Sequence, residues 1–198
     1  QTKYWEVSLE AEYFGDRTYL NASYVWSHFY GNFDQDNTTT SNDANTFLGS
    51  SLYGDGFGRY SWDNRYGTLA ADKPHLFKVF GYYTTDWEAN VGAYFLYQSG
   101  AAWEAWDGNV YGYSASSSRY AEPAGSRRGP SHWQMDLSYT QNFTLADKYV
   151  LRFRADLFNV FDRQTGYNFD PFVTNETFGE ARSFYNPRRL QLSVGFDF

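Results

Sequence analysis

The sequence predicts an all-β fold, an antiparallel transmembrane β-barrel segment of about seven strands. Three observations carry that expectation. Alternation of period two recurs along the chain in runs of roughly ten residues, the length a tilted strand needs to cross a bilayer. The connections between runs are short and long in strict alternation, as short periplasmic turns and long extracellular loops require. Aromatic residues make up 22% of the 198 residues, with 19 Tyr, 18 Phe and 7 Trp. That enrichment fits β-structure, sugar-binding surfaces or interfacial girdles rather than a helical bundle.

The first run, YWEVSLEAEYF, sets Trp5, Val7, Leu9, Ala11 and Tyr13 against Glu6, Ser8, Glu10 and Glu12. A short GDR turn leads to YLNASYVWSH, where Leu20, Ala22, Tyr24 and Trp26 oppose Asn21, Ser23, Val25 and Ser27. After a long connection, HLFKVFGYY places Phe77, Val79 and Gly81 against Lys78, Phe80 and Tyr82. The turn TTD joins it to WEANVGAYFLYQ, with Ala89, Val91, Ala93, Phe95 and Tyr97 against Glu88, Asn90, Gly92, Tyr94 and Gln98. A second long connection precedes HWQMDLSYTQ, whose Trp133, Met135, Leu137 and Tyr139 oppose Gln134, Asp136, Ser138 and Thr140. The turn TLADK leads to YVLRFRADLF, with Leu151, Phe153, Ala155 and Leu157 against Arg152, Arg154 and Asp156. A third long connection leads to RRLQLSVGFDF, where Leu190, Leu192, Val194, Phe196 and Phe198 alternate with polar residues and Gly195.

The long connections cover roughly residues 29–74, 99–131 and 161–187. Their alternation with the short turns puts the C-terminus on the periplasmic side. Charges inside the runs fall opposite the apolar face: Glu6, Glu10, Glu12, Lys78, Glu88, Asp136, Arg152, Arg154, Asp156 and Asp197. Aromatics near the run ends, among them Trp5, Tyr13, Trp26, Trp87, Tyr97 and Trp133, occupy the apolar face as a girdle requires. A symmetric turn after the fifth run would set Asp136 opposite Arg154 as a charge pair in the lumen. Seven is an odd number of strands, so the first run is expected to pair with another chain or a further segment.

Composition closes other routes. The formal net charge of −7 argues against a nucleic-acid partner. With 42% hydrophobic and 20% charged residues, the chain is not of disordered type. No cysteine is present, which removes disulfides and thiolate chemistry. No apolar run approaches the roughly 18 residues of a spanning helix. The sequence opens at Gln1 without Met or a signal-like segment, which predicts a processed or truncated product.

Candidate sites lie mostly in the long connections. The stretch DQDNTTTSNDAN lacks the ligand spacing, Gly turn and terminal Glu of an EF-hand loop and reads as solvated loop. Trp62, Trp103, Trp106, Tyr111 and Tyr113 are placed to stack on sugars or peptide side chains; the same rings serve equally to pack loops together. His28, His75 and His132 sit at run ends without metal-site spacing. Glu10 and Glu12, about 7 Å apart on one strand face, allow a glycosidase pair in geometry only. Arg127 and Arg128, in GSRRGP, offer an anion or plug contact, or a structural role. No catalytic residue, metal or cofactor is expected.

Several strings resemble one family in the right order. DKPHLFKVFGYY resembles the Asp-x-Pro-His-x-x-Lys-x-x-Gly-x-Tyr strand of TonB-dependent outer-membrane receptors, especially the Oar-like group. NASYVWSHFYGNF resembles the strand before it, LRFRADLFNVFDRQ the penultimate strand, and YNPRRLQLSVGFDF the closing strand; YQSGAAW and SRRGPSHW match more loosely. The resemblance implies the last third of a 22-stranded, plugged barrel, with residues 1–198 all barrel and neither plug nor TonB box among them. It implies an energised importer in the outer membrane, partnered by the remaining barrel strands, a plug, TonB and lipid. It also implies that barrel-assembly machinery recognises the closing strand through Leu192, Val194, Phe196 and Phe198. Two other classes remain open: a soluble, aromatic-rich, carbohydrate-binding β-sandwich, and a barrel enzyme using lumen carboxylates.

Overall fold

A computed structural model of the chain describes residues 1–31, 64, 66–107, 119–146 and 148–198. In chain order its strands are β1 (Thr2–Phe14), β2 (Thr18–Gly31), β3 (Gly67–Thr68), β4 (His75–Thr84), β5 (Asn90–Gln98), β6 (Ala102–Trp103) and β7 (Trp106–Asp107). They continue with β8 (Arg119–Tyr120), β9 (Arg127–Arg128), β10 (His132–Leu145), β11 (Tyr149–Phe158), β12 (Gly166–Phe169), β13 (Ala181–Phe184) and β14 (Arg189–Asp197). The long strands form one antiparallel sheet in the order β1-β2-β4-β5-β10-β11-β14, with β3 added to β2. Every neighbour along that path is the next long strand in sequence. The outer edges, β1 and β14, do not pair with each other, so the sheet is open.

Register follows the alternation, because side chains on a strand change face at every residue. Leu9 lies beside Tyr24, Tyr24 beside Phe77, Phe77 beside Tyr97 and Tyr97 beside Trp133. The apolar residues of all seven runs therefore share one face. On the other side, Glu10 is level with Ser23 and Ser23 with Lys78, while Asp156 meets Ser138 and Gln191. Trp5 and Trp26 meet edge to face at 4.9 Å on the apolar side, part of the expected girdle.

This sheet has no hydrophobic core of its own. Among the described residues the buried apolar side chains are Leu69, Ala89, Ala102, Ala105, Trp106 and Ala124, and all lie in connections or their short strands. By contrast Leu192 is 60% and Val194 71% exposed. A sandwich needs a second layer packed on the apolar face, and among the described residues none is present.

Three details differ from the sequence reading. The run expected from Trp87 begins only at Asn90, because Glu88 takes a left-handed φ of 62°. Thr85 and Ala89 close that turn through both backbone and side chain, so Glu88 belongs to the turn and not to the charged face. Strand β10 runs on to Leu145, and Ala146, at φ 51°, starts a tighter turn than TLADK. The whole β10–β11 register shifts as a result. Arg154 lies opposite Thr140 rather than Asp136; its Nε donates to Asp156 at 2.8 Å, while Asp136 accepts from the Asn159 amide at 2.7 Å. The expected Asp136–Arg154 pair is not formed.

Candidate functional site

All three long connections leave from one end of the sheet, and buried carboxylates fasten them together. Asp72, just before β4, accepts from the Phe29 amide at 2.6 Å and from Arg128 at 2.6 Å, with His28 Nδ1 at 3.1 Å. It thus ties the first connection to the end of β2 and to the second connection. Arg128 also donates to the carbonyls of Asp72 and Gly100. Glu104 accepts from Trp106 Nε1 at 2.7 Å and from the Gly125 amide at 2.9 Å. Glu122 accepts from the Ala105 amide and from Arg127.

The third connection folds back as the β12–β13 hairpin around Asp170. Burial alone would raise this carboxyl's pKa, but hydrogen bonds from Thr177, Asn175, the Phe172 amide and Arg182 outweigh it and bring the value down to about 2. The hairpin docks on the second connection: Trp103 stacks on Phe169 at 5.3 Å and meets Phe178 at 6.1 Å. Arg127 lies over the Trp103 and Phe178 rings at 5.1 and 5.0 Å.

Between these elements lies a cavity of about 330 Å³, within the size range of small-molecule sites. Trp103, Phe169, Tyr167 and Tyr185 supply aromatic wall, with Lys73 and His132 among its polar lining. Lys73 Nζ donates to Gln98 Oε1 at 3.1 Å, and Gln98 Nε2 donates to the Tyr185 hydroxyl. The Tyr185 ring stacks on His132 at 3.6 Å, and His132 Nδ1 lies 3.0 Å from Thr165 Oγ1. Burial pushes the Lys73 ammonium's pKa down and the Tyr185 hydroxyl's up. His132 Nε2 is buried without a hydrogen-bond partner among the described residues.

Of the aromatics singled out from sequence, Trp103 and Trp106 both line this cavity. Trp106 is buried and fixed by Glu104, so packing is part of its role. Trp62, Tyr111 and Tyr113 lie outside the described residues. Leu192, Val194 and Phe196 occupy the outward, apolar face of β14, with Phe198 immediately after it. Glu10 and Glu12 both accept from Asn21 at 3.0 Å, an ordinary polar network of the charged face. Arg127 pairs with Glu122, and Arg128 with Asp72 and the Gly100 carbonyl. Periodicity missed Asp72, Lys73, Gln98, Asp170 and Tyr185. Asp72 and Lys73 stood in the DKPH string, which gave a signal; the others depend on contacts between connections.

A family model for an outer membrane beta barrel domain matches residues 101–191. The match runs from the cavity's second connection into β14, and it supports an outer-membrane β-barrel protein with an outer-membrane location. No curated protein matches the chain, and neither does any solved structure.

Proposed function

We propose that this outer-membrane β-barrel chain forms part of the wall and the extracellular mouth of a TonB-dependent receptor. One observation carries the reading: the long connections leave from a single end of the sheet, and their described residues line an aromatic-walled cavity there. Long connections on one rim are the extracellular signature of such barrels, and ligand capture belongs on that rim. The DKPH and closing-strand strings add the resemblance to TonB-dependent receptors.

In this reading the apolar face meets lipid and the charged face lines the lumen. The edges β1 and β14 are completed by further barrel strands, since each unpaired backbone group in hydrocarbon costs several kcal/mol. A plug gates the lumen, and TonB acts through a region beyond these residues. Leu192, Val194, Phe196 and Phe198 present the outward pattern that the assembly machinery reads. The chain carries out no catalysis. The test compares uptake in a strain lacking this protein with uptake in a strain lacking TonB. Loss of import of the same compound in both is expected; import that survives without TonB refutes the proposal.

A further inference from the structure

The cavity beneath the β12–β13 hairpin has more donors than its walls can use. An ammonium carries three N–H donors, and Lys73 spends one, on Gln98 Oε1. The described residues give Lys73 no carboxylate partner and no second acceptor. Gln98 passes its other end to Tyr185, whose oxygen accepts, leaving the hydroxyl proton without an acceptor among the described residues. One amide therefore holds an ammonium and a hydroxyl side by side on the same edge of the cavity. Facing groups do not relieve them: the carboxylate of Glu104 is taken up by Trp106 Nε1 and the Gly125 amide.

One stretch of the remaining wall is flat and aromatic. Trp103 and Phe169 stack within 20° of parallel, and Gly100, Gly129 and Pro171 line the cavity close by. Glycine at 100 is required, since a Cβ there would sit 1.9 Å from the Gly129 carbonyl oxygen. The two chain segments approach at that point without filling the space with side chains. Unused donors at one edge and the planar Trp103–Phe169 wall define a ligand with acceptor atoms at one end and a flat body at the other.

Resting on the reading of this rim as the ligand-facing mouth, we infer that the cavity binds a small aromatic carboxylate, its acid group taken by Lys73 and Tyr185 and its ring laid against the Trp103–Phe169 wall. A charged donor–acceptor contact of this kind is stronger than its neutral counterpart, so the acid is selected over a neutral compound of the same shape.

The test uses the whole barrel in detergent, with phenylacetate as probe and phenylacetamide as its neutral match. Saturation transfer to the ring protons and quenching of tryptophan fluorescence report binding. Phenylacetate is expected to bind saturably and about tenfold or more tighter than the amide. Lys73→Gln should remove that preference, and Lys73→Arg should keep most of it. Unchanged amide-hydrogen protection at Phe29 and Leu69 in Lys73→Gln separates lost recognition from a disrupted rim. Equal binding of acid and amide, as a merely water-filled cavity would give, overturns the inference, and so does undiminished preference in Lys73→Gln. The two readings fail separately. Import that persists without TonB sinks the transport mechanism but leaves acid selectivity standing; TonB-dependent import by a barrel that does not distinguish acid from amide sinks the carboxylate site alone.

Discussion

Replacing Asp72 by Asn tests whether buried carboxylates hold the rim together. The Asp72 side chain is fully buried, while those of Arg128 and His28 are 36% and 37% exposed. Its Oδ1 takes the Phe29 amide at 2.6 Å and His28 at 3.1 Å; its Oδ2 takes Arg128 at 2.6 Å. An amide has one oxygen for these two sides. If that oxygen stays on Phe29, the NH2 group faces the guanidinium, donor against donor. A hydrogen bond to a charged group contributes about 1.5–3 kcal/mol, but Arg128 and His28 can recover water at their exposed sides, which trims their share. A loss of about 2–3 kcal/mol results, roughly 30- to 150-fold in a local opening equilibrium. The effect should be confined to the rim, because the strand ladder does not use this carboxylate.

Amide-hydrogen exchange on the folded barrel reads it directly. Exchange at Phe29, and at Leu69 whose amide donates to the Phe29 carbonyl at 3.0 Å, should accelerate by that factor, while amides of β10 and β11 remain protected. Asp86→Asn is the control: Asp86 pairs with Arg17 at the opposite end and is 82% exposed, so no change is expected. Arg128→Ala should produce a smaller loss, and the double variant should be less than additive because both act on one contact. Rates at Phe29 and Leu69 within twofold of the parent in Asp72→Asn would refute the reasoning.

Other perturbations separate the faces, the hairpin and the tight approach. Leu192→Arg puts a charge on the apolar face near the middle of β14 and should destabilise the barrel in lipid vesicles by up to about 2–4 kcal/mol, whereas Gln191→Arg on the other face should stay within about 0.5 kcal/mol; equal urea midpoints contradict the facing. Asp170 has a folded pKa of about 2 against 3.8 for the free group, a gap of about 2 kcal/mol. Because the folded value is the lower one, that stabilisation is present above about pH 4 and is lost as the pH falls toward 2. Trp103 fluorescence, sensitive to the docked hairpin, should change through that window in the parent. In Asp170→Asn the change should be largely absent and the hairpin weaker at neutral pH. Gly100→Ala forces backbone apart and should cost about 1–3 kcal/mol at the rim; Gly195→Ala, where the nearest atom to a new Cβ is 3.8 Å away, should be tolerated in thermal unfolding.

The sheet was legible because a single physical rule generates it. Period-two alternation of Trp5–Tyr13 against Glu6–Glu12, repeated along the chain, determines both strand and face, and short turns such as 15–17 leave little freedom in pairing order. Local dihedrals escaped that rule. Ala146 and Glu88 adopt left-handed φ values that residues of their type seldom take, so nothing in TLADK or TTDWEA announced where the strands would stop. With β10 continuing to Leu145, Arg154 lies opposite Thr140 and not Asp136. The cavity was half legible: Trp103 and Trp106 stood out as aromatics in a connection, but Lys73, Gln98 and Tyr185 meet across 25 and 87 positions of sequence. Hydrogen bonds of that reach leave no periodic trace.

The division of labour between the two parts follows from where apolar surface goes. In the sheet it goes outward, and a bilayer supplies the second layer that a soluble fold would have to build from its own chain. The rim has no such help. Among its described residues the buried apolar side chains are Leu69, Ala102, Ala105, Trp106 and Ala124, mostly small groups that each bury little apolar area. Asp72 and Glu104 each place a buried carboxylate among donors from segments distant in sequence, and Asp170 gathers the donors of its own hairpin. Charge-assisted hydrogen bonds are directional where hydrophobic burial is not. A rim ordered mainly by burial would collapse until its side chains filled the space. A rim ordered by fixed donor–acceptor geometry can keep its walls apart, which is why an aromatic-lined cavity persists above a sheet whose described residues form no core.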